Sequence, residues 1–357
     1  MYYPDQRYIT RLTTIRRECL LPDDAIGKVV ALDGTRVDIR DVVARGAVPR
    51  RHIIIEGQKF FGLKKPDALN ALLLVKVGEA VDEGVPIAGK NPKRGKRIFA
   101  PVRGIVKAVT NGRIIMSEMP EIIDLEAGVK GRVVEVYPRR GVAIEAVGGL
   151  LQGVWGNGHR RISILREGPQ EGLEFLGTED VFGAGYRGSI VLSRRPLTAM
   201  GLQIAEEQNV HGVIVPSMDA SLRPRALESE IAIFLTEGFG DMPMSTGVYS
   251  QLKDYNGRSI LMDAYTPTGE APRRPEIIIN ELSKERPPRP NFMLALRPGM
   301  GVRITREPHA GSLVRVVDLP KKPVLLDNGL RVPCARVELV SGDVIAVPLA
   351  DLEYIGR

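Results

Sequence analysis

Residues 72–116 constrain the fold more than any other part of the chain. Short apolar runs there alternate with polar residues and are divided by Gly, Pro and Asn. Asn111-Gly112 lies between Ile105-Val106-Lys107-Ala108-Val109 and Arg113-Ile114-Ile115-Met116. An Asn-Gly pair accommodates two successive residues at positive φ, and the resulting turn twists in the sense that joins antiparallel strands, so a two-residue hairpin is predicted. Apolar positions recurring at period two would be scattered around a helix but share one face of a strand. The stretch therefore reads as a compact β unit around which the remaining modules are arranged.

At 357 residues the chain exceeds one small core, and two or three domains are the usual expectation. Apolar residues at 43% and charged residues at 26% describe a globular rather than a disordered protein. Aromatic residues make up only 5%, whereas Gly 38 and Pro 26 favour many short strands and turns cored by Val, Ile and Leu. The formal net charge of +7 gives an average field that attracts phosphate, nucleic acid or an acidic surface. Cys19 and Cys334 stand near opposite ends, with neither metal-type spacing nor a disulfide framework, which fits a reducing, cytoplasmic setting. The first residues, MYYPDQRYITRL, carry charge early and lack an apolar core, and no apolar run reaches membrane-spanning length. Neither a secretion signal nor a transmembrane segment is expected.

In chain order, residues 1–65 form an N-terminal β segment with a basic start, in which Asp33-Gly34 divides two alternating runs as a hairpin and Ile53-Ile54-Ile55 reads as a short buried strand. Residues 66–167 continue as a β domain with added strands. A linker at 168–177 then gives way to an α/β domain at 178–282. Its strands centre on Ile190-Val191-Leu192, Val213-Ile214-Val215, Ile231–Leu235 and Ser259–Met262, with helices at 198–209, 220–228 and 246–255, and Thr198 as an N-cap. Strands alternating with helices imply a small parallel sheet with right-handed crossovers. Pro-rich residues 267–290 bracket a strand at Glu276-Ile277-Ile278-Ile279 and read as an extended crossing linker. Residues 296–357 give short strands joined at Asn328-Gly329 and Ser341-Gly342, a spacing suited to an SH3-like barrel. The fold class is thus multidomain and mainly β, with one small α/β domain.

Two family resemblances add to this. The run VKVGEAVDEGVPIAG, followed after a basic loop by FAPVRGIVKAV, resembles the barrel-sandwich hybrid fold of biotinyl and lipoyl domains, and more closely the related domain of RnfC-type electron-transfer subunits. That resemblance implies turns at Gly78 and Gly84 on either side of a short strand at Val81, and a return turn at Ala100-Pro101 and Gly104. It implies no cofactor: the loop at 89–97 lacks the residues that flank a carrier lysine. The C-terminal segment, with Pro298-Gly299-Met300-Gly301-Val302-Arg303-Ile304 and Glu307-Pro308-His309-Ala310-Gly311, is similar to KOW domains of NusG-type factors and ribosomal proteins, although Val314 stands where that family has a glycine. Such barrels contact RNA or protein, which implies a basic face including Arg303, Arg306, Lys321 and Lys322.

Candidate sites fall into two groups. Open parallel sheets bind ligands beyond the carboxyl ends of their strands. Those ends carry Ser193-Arg194-Arg195, Ser217-Met218-Asp219 and Thr236-Glu237-Gly238-Phe239-Gly240, so Ser193, Arg195, Ser217, Asp219, Thr236, Glu237, Gly238 and Gly240 are candidate ligand residues. Candidate anion contacts are Lys90, Lys93, Arg94, Lys96 and Arg97 in the basic loop, Arg160 and Arg161 beside a glycine-rich turn containing Trp155, and Arg303 and Arg306. His52, His159, His211 and His309 lie in separate modules, so no metal site is predicted. No catalytic residue is assigned, since neither a Gly-x-Ser-x-Gly elbow nor a Walker or dinucleotide loop is present. The expectation is a non-catalytic adaptor for an anionic or protein partner, with nucleic acid or a ribonucleoprotein favoured, although aromatic stacking platforms are not evident. The alternatives are an enzyme or accessory subunit with its ligand at the strand ends, and a self-assembling structural protein.

Overall fold

The computed structural model describes residues 2–177, 185–267, 273–281, 286–291, 294–326 and 328–356. The Pro-rich linker expected at 267–290 therefore lies partly outside the described residues. The fold is mainly β, with 44% strand against 13% helix. Two compact units form: Met1–Arg16, Gly128–Gly131 and Glu145–Arg357 make the larger, Arg17–Ala127 and Arg132–Ile144 the smaller.

In the larger unit, Arg160–Glu167, Ile190–Leu192, Gly212–Met218 and Ala232–Phe239 lie side by side and parallel. Ile190–Leu192, Gly212–Met218 and Ala232–Phe239 are buried nearly throughout because both of their faces are covered. Ile190, Leu192, Ile214, Ala232 and Phe234 pack with Val248 and Leu252 of the helix Thr246–Lys253. Val191, Val213, Val215, Ile233 and Leu235 point the other way and pack with Leu202 and Ala205 of the helix Ala199–Glu207. Thr198 caps that helix as expected, its hydroxyl accepting from the Gly201 amide at 3.0 Å. The helix expected over 220–228 divides into a 3-10 turn, Ala220–Leu222, and the short helix Arg223–Glu228, with Pro224 in its first turn where a missing N–H costs nothing.

The parallel sheet departs from expectation at its membership. Its first strand is Arg160–Glu167, upstream of the expected linker, whereas Ser259–Asp263 runs antiparallel to it. The helix Thr246–Lys253 explains this. It starts beside Glu237, whose carboxylate accepts from the Ser245 amide at 3.2 Å, and it ends where Lys253 meets Glu167. Both ends thus sit at the carboxyl edge. Gly257, at φ 83, turns the chain there, so the next strand must descend. The strand expected at 276–279 forms as Glu276–Asn280, and it lies in the sheet interior, antiparallel to both Ser259–Asp263 and the end of Gly141–Gln152.

The same hydrogen-bonded path continues through Asp5–Leu20 to the C-terminal strands. Gly301–Ile304, Leu313–Asp318, Cys334–Glu338 and Val344–Pro348 pair antiparallel in succession. Leu352–Gly356 pairs with Gly301–Ile304 and lies parallel to the start of Asp5–Leu20. Val302, Ile304, Val314, Val316, Val337 and Leu352 form their core.

In the smaller unit, Gly104–Thr110 and Arg113–Glu118 form the predicted hairpin, with Asn111 at φ 50 and Gly112 at φ 72. Ala80–Val81 and His52–Ile55 flank it on either side. Val81, Ile87, Ile98, Val106, Ile114 and Met116 pack beneath. Two expectations fail here. Ile26–Val29 pairs with Val42–Val48 rather than across Asp33-Gly34, because that turn releases Arg36–Val37 to a different partner. Ile53-Ile54-Ile55 is not a buried strand: it lies at a sheet edge, and Ile54 is 58% exposed.

Candidate nucleic-acid interface

Pro86–Gly89 and Arg97–Phe99 pair antiparallel, and the loop joining them carries the basic residues singled out in the sequence. Lys90, Lys93, Arg94 and Lys96 are all exposed, and Arg97 is half-buried. The loop is shaped from within. The Asn91 side chain accepts from the Lys93 amide at 2.8 Å, and Arg97 Nη1 donates to the Pro92 carbonyl at 2.7 Å. Among the described residues no carboxylate lies within ion-pair distance of Lys90, Lys93, Arg94 or Lys96.

The structure adds aromatic rings that the linear pattern does not place at this loop. Lys96 Nζ stands 4.8 Å from the centroid of Phe60, and Arg97 Cζ stands 5.0 Å from that of Phe99. Both rings are solvent-accessible, Phe60 at 41% and Phe99 at 46%. Phe60 belongs to the short helix Gly57–Phe61, whose turn at Gly62 leads into Lys64-Lys65. Residues 57–65 and 89–99 together hold eight basic side chains and no acidic one: Lys59, Lys64, Lys65, Lys90, Lys93, Arg94, Lys96 and Arg97. Cations over ring faces on a surface left open to water can hold phosphates while the rings offer flat apolar area to a base. The pattern Lys59-Phe60-Phe61 was a legible signal, since an aromatic pair inside a basic segment is what such a surface requires.

The other anion candidates are committed elsewhere. Arg161 donates to the carbonyl of Arg160 at 3.1 Å and to that of Glu230 at 2.7 Å, and Arg160 packs against Gly128. The glycine-rich turn beside them does not cradle a ligand: a Cβ on Gly156 would meet the Ala264 carbonyl at 2.3 Å, so glycine serves close strand approach over a Trp155 that is itself buried. Arg306 is exposed and stands 3.9 Å from Asp351. Arg303, expected on a basic face, is buried, as are Arg7, Glu237 and Glu353.

Those four side chains form one ion network. Arg303 Nη2 lies 2.5 Å from Glu237 Oε2, and Arg303 Nη1 lies 3.4 Å from Glu353 Oε2. Arg7 Nη2 lies 3.3 Å from Glu353 and 3.9 Å from Glu237, and Arg7 also donates to the Thr236 carbonyl. Arg274 reaches Glu353 Oε1 at 3.3 Å and pairs with Asp5. Burial pulls the Arg7 guanidinium below its ordinary pKa, while Glu353 and Glu237 oppose the shift.

Most of the strand-end candidates are therefore structural. Thr236 and Ser217 are fully buried, and the Ser217 hydroxyl donates to the Met242 carbonyl at 2.9 Å. Glu237 is spent on Arg303 and Arg7. Asp219 accepts from the Ser221 hydroxyl at 2.6 Å and from its amide at 2.8 Å, capping that turn, and those hydrogen bonds lower its pKa. Gly238 and Gly240 take positive φ in the exit from their strand, and Ser193 is buried beneath the following turn. Arg195, by contrast, presents its side chain to a cleft, together with Arg194, Tyr249 and Lys253.

Among the described residues no group of three or more His, Cys, Asp or Glu could hold a metal ion, and no helix is long and apolar enough to cross a membrane. Cys19 and Cys334 are both buried and unpaired. The chain matches no protein family model and no curated protein.

Proposed function

We propose that the chain is an adaptor that binds single-stranded nucleic acid through the basic, aromatic surface of its smaller unit. The observation that carries this reading is the placement of Phe60 and Phe99, each exposed and each beneath a cation, within two segments free of acidic side chains. On this reading the bases stack on the two rings, and Lys59, Lys90, Lys93, Arg94 and Lys96 follow the phosphates. The smaller unit's β framework, which resembles a barrel-sandwich hybrid in sequence, positions the loop and carries no prosthetic group. The C-terminal strands, similar in sequence to KOW barrels, supply a further docking module.

The test is a titration of a labelled, unstructured RNA oligonucleotide at about 50 and about 200 mM salt. With about five phosphates neutralised, affinity should fall on the order of a hundredfold between these conditions. Phe60→Ala and Phe99→Ala should each weaken binding by about 1–3 kcal/mol at either salt, as lost stacking does, while leaving the salt slope unchanged. Lys93→Glu with Lys96→Glu should flatten the slope. Absence of binding at the lower salt sinks the proposal. Preference for anionic vesicles over RNA, with the same two Phe residues required, would replace it by a membrane-surface reading.

A further inference from the structure

We propose a second, independent site in the larger unit: a small-molecule pocket at the carboxyl edge of the parallel sheet, selective for a phosphate ester of a polyhydroxylated compound. The cleft has a volume of about 670 Å³ and opens between the ends of Arg160–Glu167 and Ile190–Leu192, under the helix Thr246–Lys253. Two helices border it from opposite faces of the sheet: Ala199–Glu207 packs on one, and Thr246–Lys253, which ends here, on the other. The space beyond the carboxyl ends of the strands is where open α/β sheets take ligands. The volume suits a metabolite rather than a polymer.

Its chemistry follows from which charges are satisfied and which are not. Two of the lining side chains share Glu167: its carboxylate accepts from the Tyr249 hydroxyl and lies 3.0 Å from Lys253 Nζ. These partners hold Glu167 below its usual pKa against the opposing effect of burial. Arg194 and Arg195 differ. Both are exposed, and among the described residues neither guanidinium has a carboxylate within ion-pair distance. Their backbone is fixed: the Ser193 hydroxyl accepts from the Arg195 amide at 3.1 Å, and the Arg194 guanidinium rests 5.1 Å from the centre of the Tyr249 ring. Two adjacent guanidiniums on an anchored turn can take a tetrahedral dianion through several charge-assisted hydrogen bonds. Glu171 and Asp241 line the same cleft and can accept only from donors, so hydroxyl groups on the remainder of the ligand complete the match.

Calorimetric titration of the full chain with glucose 6-phosphate, inorganic phosphate and glucose tests this. Glucose 6-phosphate should bind most tightly, inorganic phosphate more weakly, and glucose not at all at low millimolar concentration. Arg194→Gln and Arg195→Gln should each weaken both phosphate-bearing probes about tenfold. Asp241→Asn should weaken glucose 6-phosphate but not inorganic phosphate. All three side chains are exposed, so unchanged melting temperatures will separate lost binding from lost folding. Absence of heat for both phosphate-bearing probes overturns the proposal, as does binding that survives the double arginine substitution. Neither result bears on the RNA surface, since no residue is shared.

Discussion

Glu237→Gln is the substitution that best separates a structural role from a ligand-binding one at the strand ends. The amide keeps the shape of the side chain but removes its charge, leaving Arg303 and Arg7 to share Glu353. At an effective dielectric near 20, the Arg303 contact at 2.5 Å corresponds to a gross attraction of about 7 kcal/mol and the Arg7 contact at 3.9 Å to about 4. Desolvation of the three ions offsets most of this, so the net cost of breaking the network is about 3–5 kcal/mol. For a unit of this size each kcal/mol moves the melting temperature by roughly 2–4 °C, which predicts a drop of about 10 °C in a thermal scan of the full chain. Urea unfolding should show the same loss. Glu237→Leu combined with Arg303→Met removes one charge of each sign and leaves Arg7 opposite Glu353. That pair should recover at least about 2 kcal/mol relative to the sum of the single substitutions. Phosphate binding in the neighbouring cleft should be unchanged in Glu237→Gln. A loss of stability below about 1 kcal/mol in that variant would refute the network argument and return Glu237 to the list of ligand residues.

Two further outcomes follow from side chains with fully specified partners. Asn157 is buried, donating to the Ala226 and Ile231 carbonyls at 3.0 and 2.8 Å and accepting from the Ile233 amide at 2.9 Å. Asn157→Ala should cost about 3 kcal/mol in denaturant unfolding, because it strands backbone groups on two elements at once. The Tyr249 phenol is pushed up to about 12 from 10.0, first by burial and then by its bond to Glu167. A raised folded-state value means its contribution to stability is complete below the ordinary phenol pKa of 10.0 and is lost as pH rises through about 12. Glu167→Gln should therefore bring this phenol to a lower pH in an ultraviolet titration, read as the difference from Tyr249→Phe. A titration curve unmoved by Glu167→Gln would contradict the hydrogen bond.

The sequence is legible where a local rule decides the structure and opaque where tertiary contacts do. Asn111-Gly112 determines its own hairpin, since both residues take positive φ and the flanking strands twist accordingly. Thr198 likewise marks its helix start. Asp33-Gly34 shows the limit: the turn forms, yet pairing energy with Val42–Val48 outweighs pairing across it. Strand direction was legible only in part, because Ser259–Asp263 reads identically up or down, and the place where Thr246–Lys253 ends decides. At the candidate sites the failure is one of charge accounting. Glu237 and Arg303 are charged residues at a strand end and on an expected basic face, and linear order cannot reveal that they neutralise each other 2.5 Å apart. The converse holds for Arg194 and Phe60. Linear order marks them only as a strand-end arginine and an aromatic pair in a basic segment, and folding shows what each keeps available: among the described residues, a guanidinium with no carboxylate within ion-pair distance, and a ring 41% exposed. In a basic chain the cations that matter are those the fold does not spend, and the predicted phenotypes separate accordingly. Losing Glu237 should change stability without changing binding, whereas losing Arg194 or Phe60 should change binding without changing stability.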